Sequence, residues 1–337
     1  MIRARKSLVT GATGLLGNNV VRRLLANGAE VRVLQRATSD PRALAGLDVE
    51  IMHGDVRDAE AVKRACQGVE QVIHAAGHVH IGWSGNSTHQ AINVEGTRNV
   101  TAGALASGAR LVYVSSVDTL GFGTLQQPAN EDTPSQTKHP IPYQQTKRAA
   151  EEIVLAAVAQ SLSAMIVHPA YIIGPWDWKP SSGRMLLEIA NGRGIFVPRG
   201  GNDFCDARDV ADGILAAAER GQPGRHYILG GEGLSYFDFW KLIGKMTGTP
   251  ASWMKIDRPI VVATGWVGDL LGRITGHEPV FNSAAMQLSA QPHHFSYARA
   301  ESELGYAPRP AREALADSLN WFAEHGYLPA RKAPNNR

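Results

Sequence analysis

The stretch "TGATGLLGNNVVRRLL", residues 10 to 25, constrains this chain more tightly than any other. It follows a short β-branched run, "SLVT", and opens a helical apolar pattern, so Gly11, Gly14 and Gly17 fall three apart across a strand-to-helix turn. Glycine permits the tight turn and a close backbone approach, and the first turn of the helix leaves N–H groups unpaired beneath a partial positive charge. The backbone of Gly11, Thr13, Gly14, Leu15, Leu16 and Gly17 is therefore expected to cradle a pyrophosphate.

The pattern that begins there repeats. "SLVT", "EVRVLQ", "VEIMHG", "QVIHAA", "RLVYVSS" and "AMIVHP" read as six strands, and helical patterns at 14–27, 58–66, 88–107 and 143–160 separate most of them. Such alternation predicts an α/β fold, a doubly wound parallel sheet with helices on both faces. Residues 1–170 form the dinucleotide-binding domain in this reading. A smaller substrate lobe occupies 171–330, "DARDVADGILAAAERG" and "RHYILGG" near 204–231 return to the sheet, and 331–337 is a tail.

Composition excludes several function classes. The 337 residues carry 34 basic and 31 acidic side chains without a basic run, so nucleic acid is not an expected partner. Cys66 and Cys205, far apart, make no disulfide framework and fit a reducing, cytoplasmic location. The start "MIRARK" runs directly into the first strand and leaves no separate signal peptide. The apolar segment "PIVVATGWVGDLLG", 259–272, contains Asp269 and is too short to span a bilayer. It reads as a buried or lid helix, with peripheral membrane contact as the minor alternative.

The remaining cofactor features follow strand ends. Where an acidic residue would accept the ribose 2′-hydroxyl of NAD(H), "VLQRATSD" places Arg36, which suits a 2′-phosphate, so NADP(H) is expected over NAD(H). Thr38 and Ser39 add hydroxyl donors, while Asp40 reads as a helix cap. Asp55 offers an acceptor to the adenine amino group beside Val56, and Asp58 is a cap. Ala75, Ala76 and Gly77 in "HAAGHVH" are small enough for the cofactor's sugars to lie close. His74, His78 and His80 have no acidic or cysteine partner at ligand spacing, so no metal is expected.

"YVSSVDTLG", 113–121, leaves the fifth strand at the edge where ligands bind in such sheets, and "YQQTK" sets Lys147 one helical turn after Tyr143. A free tyrosine titrates near 10, and bringing it to neutrality takes roughly 4 kcal/mol. A lysine ammonium at about 4.5 Å in an effective dielectric near 20 supplies roughly 3.7 kcal/mol. Lys147 is thus expected to lower the Tyr143 pKa, with Ser116 holding a substrate oxygen. A ring that only packs at a helix start, beside a solvated lysine, is the bland alternative.

"TGATGLLG", "GDVRD", "HAAG", "INVEGTRN", "SSVDTLG", "YQQTK" and "HPAYIIGP" stand in the order found in extended short-chain dehydrogenases/reductases, the NAD-dependent epimerase/dehydratase superfamily, which this chain resembles along nearly its whole length. Through "RATSDPRALAGLDVEIMHGDVRD" and "RHYILGGEGLS" it resembles in particular the dihydroflavonol-reductase-like and hydroxysteroid-dehydrogenase-like branch and hopanoid-associated sugar epimerase homologues. The resemblance implies that Tyr143 is the general acid/base, Lys147 its modulator and ribose anchor, and Ser116 the substrate-oxygen partner, with Ser115 second. It implies that Asn93 supports the site, that His168, Pro169, Ala170 and Ile172 flank the nicotinamide, and that the protein is a homodimer through the helices at 88–107 and 143–160.

Reductase and epimerase share this machinery. Sugar epimerases of the family commonly carry an arginine that grips the diphosphate where this chain has Asn202, although Arg184, Arg193 and Arg199 remain as substitutes. Asp118, without a following glutamate, is a poor copy of a dehydratase acid pair. Trp83, Phe122 and Trp176 are expected beside the cleft and suit an apolar or ring-shaped carbonyl compound. The expected activity is NAD(P)(H)-dependent reduction of a ketone or aldehyde, or the reverse oxidation of a secondary alcohol. A sugar epimerase/dehydratase and a non-catalytic cofactor sensor are the alternatives.

Overall fold

The computed structural model describes residues 6–135, 140–193, 196–249 and 254–329. The expected tail at 331–337 lies outside them. Six strands, β1 (Lys6–Thr10), β2 (Glu30–Gln35), β3 (Glu50–His53), β4 (Gln71–His74), β5 (Arg110–Val114) and β6 (Ala164–Pro169), stand where the sequence pattern puts them. They pair in parallel in the order β3-β2-β1-β4-β5-β6, and His226–Leu229 adds a seventh parallel strand beside β6. The order reverses between β1 and β4, and it is at this switch point that the carboxyl edge of such a sheet opens a crevice for ligands.

Near-continuous apolar strands suit a sheet buried on both faces, because successive side chains point to opposite sides. Leu8, Val72, Leu111 and Ile166 pack beneath helices α2 (Ala59–Cys66), α4 (Gly96–Ser107) and α5 (Pro142–Val158). Their neighbours Val9, Ile73, Val112 and Val167 pack on the other face, with α1 (Leu15–Ala26) and the helix Ala207–Arg220. Asp58 caps α2 by accepting from the Glu60 and Ala61 N–H groups, and Asp40 caps a short 3₁₀ turn at Pro41–Leu44.

The expected helix at 88–107 is broken. A short helix, α3 (Asn86–His89), passes into a π-helical turn at Gln90–Glu95 before α4 begins. The wider turn is a local cost, and such turns tend to mark functional sites.

Beyond β6 a separate apolar core forms around Ile173, Phe204, Phe239, Leu315 and Phe322. A small sheet runs through it, with Gly201–Asp206 paired to Tyr171–Ile173, Glu232–Ser235 and Pro292–His293. Phe204 and Phe239 stack with centroids 3.6 Å apart. No described helix is long and apolar enough to cross a membrane.

Candidate active site

The site begins at the turn between β1 and α1. Gly11 has φ +75°, and a Cβ there would lie 2.6 Å from the Ala75 carbonyl carbon at the end of β4. A Cβ on Gly17 would lie 2.2 Å from the Gly11 oxygen. Both glycines are required by the protein's own packing. Gly14 is different, since its Cβ would meet nothing nearer than the Gly11 oxygen at 3.5 Å. It is also the N-cap of α1 and offers no side chain to the first-turn N–H groups. The open face of this turn therefore fits a dinucleotide phosphate.

Around this turn lie the other cofactor candidates. Arg36 is exposed at the end of β2, and its guanidinium, near enough to depress the Asp55 pKa, forms no ion pair among the described residues. The Asp55 carboxylate is engaged by Arg57, with Arg57 Nη2 2.9 Å from Oδ2. Its acidity is increased chiefly by that bond. Val56 packs on the first residue of α4, where a Cβ at Gly96 would come within 2.8 Å of Val56 Cγ2. Ala75 and Ala76 are half-buried and Gly77 is exposed, leaving a smooth wall after β4.

Ser116, Tyr143 and Lys147 converge at the carboxyl edge of β5 and are all buried. Pro142 starts α5 and the Gln144 side chain accepts from the Ile141 N–H at 3.2 Å, which sets Tyr143 in the first turn. Ser116 lies near enough to Tyr143 to influence its pKa, and its Oγ accepts from the Asp118 N–H at 3.2 Å; Lys147 Nζ donates to the Val114 carbonyl at 2.6 Å while standing 4.4 Å from the Tyr113 ring centroid.

The electrostatics correct the sequence expectation. Burial pushes the Tyr143 pKa well above that of a free tyrosine, the Asp118 charge adds to the rise, and the nearby Ser116 hydroxyl only partly opposes it. Burial lowers Lys147 to about 7, against a raising influence from Glu151. Desolvation is the largest influence on each group, since burial disfavours the charged form of both.

Ser115 is not equivalent to Ser116. Its hydroxyl donates to Glu151 Oε1, which turns it away from the cleft. Glu151 lies one turn beyond Lys147 and 3.8 Å from His168 Nδ1, and His168 Nε2 meets His226 Nδ1 at 2.8 Å. Glu151, His168 and His226 thus cluster closely enough to raise the question of a metal. The two imidazoles hydrogen-bond each other, which makes the cluster a proton-bearing network. His168 Nδ1 also hydrogen-bonds the Ser116 carbonyl at 3.0 Å. Pro169 ends β6, and Ala170 and Ile172 follow half-buried.

Asn93 sits in the π-helical turn. Its Oδ1 accepts from the His78 N–H at 2.7 Å, and its Nδ2 donates to the His78 carbonyl at 3.1 Å and to Thr146 Oγ1 at 3.2 Å. One amide therefore ties the loop after β4 to α5 beside Tyr143. His74 lies between Thr10 and Thr97, and His80 pairs with Glu278, so these histidines serve the scaffold.

The aromatic expectations divide. Phe122 packs at a tilt on His293, with ring centroids 4.3 Å apart, and His293 lies near Asp118. Trp83 is tied by Nε1 to Asp269 at 3.1 Å, on the loop after β4. Trp176 is a correction: its backbone is left-handed, at φ +74°, and its ring lies 3.3 Å from Arg22 and against Trp321. It belongs to the lobe's core.

Residues missed by sequence reasoning are Glu151, His226 and His293. The spacing Tyr143, Lys147, Glu151 repeats every four residues on one helix face and was a readable signal. His293 arrives from a distant segment and had none.

Residues 7–230 match the NAD dependent epimerase/dehydratase family. The chain belongs to that family. It falls in the extended short-chain dehydrogenase/reductase branch, where relatives of this chain are named as reductases and dehydrogenases, and NAD-dependent oxidoreduction is the chemistry they support. Sterol demethylase protein B of Methylococcus capsulatus is 36% identical over 96% of this chain and 99% of its own. A putative dihydroflavonol 4-reductase of Synechocystis is 34% identical over 95% of each. The crystal structure of gox2253 superposes with a TM-score of 0.85 at 36% identity, covering 96% of this chain and 99% of that one.

Two predictions follow from the packing and the charges of this family member. Gly17→Ala should cost about 2 to 3 kcal/mol in urea unfolding, whereas Gly14→Ala should cost below about 1 kcal/mol yet weaken dinucleotide binding in calorimetry. A Gly14→Ala variant with undiminished affinity contradicts the cradle. Because folding depresses the Lys147 pKa, the unfolded chain holds more protons between pH 7 and 10.5, and stability must rise with pH across that window. Relative to Lys147→Met, the wild type should gain up to about 1.4 kcal/mol per pH unit between roughly pH 7.5 and 9.5. Parallel stability profiles for the two proteins would rule out a buried, discharged lysine.

Proposed function

We propose that the protein is an NADP(H)-dependent carbonyl reductase/alcohol dehydrogenase acting on a small apolar or ring-shaped substrate. The observation that carries this reading is the gathering of buried Ser116, Tyr143 and Lys147 at the carboxyl edge of the same sheet that carries the open glycine turn. A bound nicotinamide would supply or accept the hydride. Ser116 holds the carbonyl oxygen, and Tyr143, kept protonated by burial, gives its proton to the alkoxide as it forms. The raised Tyr143 pKa suits an acid working in the direction of reduction. Lys147 then faces the phenolate, and Glu151, His168 and the partly exposed His226 extend the protonic network toward the surface.

Two features weigh against a nucleotide-linked sugar. Asn202 stands where the phosphate-gripping arginine is expected, and Arg193 and Arg199 are paired with Glu188 and Asp257. Relatives whose names refer to a sterol and a dihydroflavonol support a ring-shaped carbonyl compound. Arg36, exposed and in no ion pair among the described residues, supports NADP(H).

A panel of ketones and aldehydes read by NADPH absorbance, run beside nucleotide sugars, tests the reading. Tyr143→Phe should lower kcat by on the order of 10² to 10⁴ while leaving dinucleotide affinity unchanged. An active Phe variant refutes the mechanism. Arg36→Ala should weaken NADPH binding by roughly tenfold or more and leave NADH binding nearly unaltered. Preference of the wild type for NADH reverses the cofactor assignment.

A further inference from the structure

The helix Arg258–Thr275 is built the wrong way round for a water-exposed element. Its buried residues are Val261, Gly265, Gly268 and Gly272, spaced four, three and four apart along one stripe. Cβ atoms on Gly265 and Gly268 would lie 2.7 Å from Ser283 Cα and 2.2 Å from the Phe281 oxygen, so the helix rests its bare backbone on the segment at 279–286. The large apolar side chains face outward. Ile260, Trp266, Val267, Leu270, Leu271 and Ile274 are all exposed, Trp266 by 64% and Ile274 by 73%. Val280 and Phe281, in the segment beneath the helix, are exposed as well. A soluble helix hides its large apolar residues and shows its polar ones. An exposed apolar face this continuous marks an interaction site.

The charges indicate what covers it. Asp269, the helix's only acid, turns inward, where its Oδ1 accepts from Trp83 Nε1 at 3.1 Å and from the Ser283 N–H at 2.9 Å. Glu278 is also turned in, accepting from the Trp83 N–H at 2.7 Å and the Ser84 N–H at 3.0 Å. Asp257, just before the helix, is paired with Arg199. Arg258 in the first turn and Arg273 in the last are exposed and flank the apolar face at its two ends, Arg273 near enough to Asp269 to lower its pKa. A second copy is a poor occupant. Antiparallel pairing would bring Arg258 against Arg273, and parallel pairing would bring each arginine against itself. An anionic lipid surface satisfies both the apolar side chains and the flanking arginines.

We propose that this helix lies in the interface of an anionic membrane, apolar face down. Its glycine stripe is committed to the protein, so it rests on the bilayer without crossing it. Trp83, on the loop after β4, packs beside Gly272 of the helix and is itself half exposed. Direct uptake of an apolar substrate from the lipid rests on the reductase reading, whereas the membrane contact does not.

Flotation of the full chain, without substrate or cofactor, on phosphatidylcholine vesicles with and without phosphatidylglycerol tests the contact. The expected result is binding to the anionic vesicles. The combined variant Trp266→Ser, Leu270→Ser, Ile274→Ser should weaken it at least tenfold, with the thermal midpoint and dinucleotide affinity unchanged. Ile274→Ser alone, the mildest change, should weaken it severalfold. Arg273→Gln should reduce binding only where phosphatidylglycerol is present. A wild type that floats with neither vesicle, variants that bind as well as it does, or a wild-type dimer that the combined variant converts to monomer would overturn the proposal, the last by assigning the face to a second copy.

Discussion

The backbone crossing at Gly11, Gly17 and Ala75 is the constraint on which this structure depends. The Gly11 oxygen occupies the space a Gly17 side chain would need, and the end of β4 occupies the space a Gly11 side chain would need. This contact lets α1 start at the sheet's carboxyl edge, at the point where strand order reverses, and keeps Gly14 open above the helix N-terminus. One residue larger at either closed position would force β1 and β4 apart or lift α1. The site's geometry thus begins as a packing problem inside the sheet.

Burial governs the chemistry that follows. Tyr143 and Lys147 are both buried, and the loss of water is the largest influence on the titration of each. The phenol is held as an acid and the ammonium is poised near neutrality, and the same desolvation strengthens any charge later brought beside them. Asn93 maintains this arrangement at a distance, since its amide joins the loop after β4 to α5 through the π-helical turn. Ser115 and Glu151 pair with each other, which leaves Ser116 as the hydroxyl beside Tyr143.

Much of this was legible in the order of residues. β-Branched runs and glycine spacing located the sheet, the tight glycine turn, and the Ser116, Tyr143 and Lys147 set, because each depends on local periodicity or on a strand's known end. The sign of the Tyr143 shift was not legible, since it depends on how much water the folded lobe excludes. Trp176 could not be placed either, because a left-handed backbone turns its ring onto Arg22. Glu151 was readable at four-residue spacing from Lys147. His293 was not, since it lies 175 positions after Asp118 and only the fold brings them together. The apolar run at 259–272 was visible, but a run alone does not say which face is turned out; the glycine stripe decides that.

The central claim is net hydride transfer to a substrate carbonyl, with Tyr143 supplying the proton. Supplying NADPH deuterated at the transferring C4 position, with a ketone the enzyme accepts, tests it directly. The account predicts one deuterium on the product's carbinol carbon for each NADP⁺ formed. Substrate interconversion in which the deuterium stays with the cofactor pool and no net NADP⁺ accumulates would contradict it.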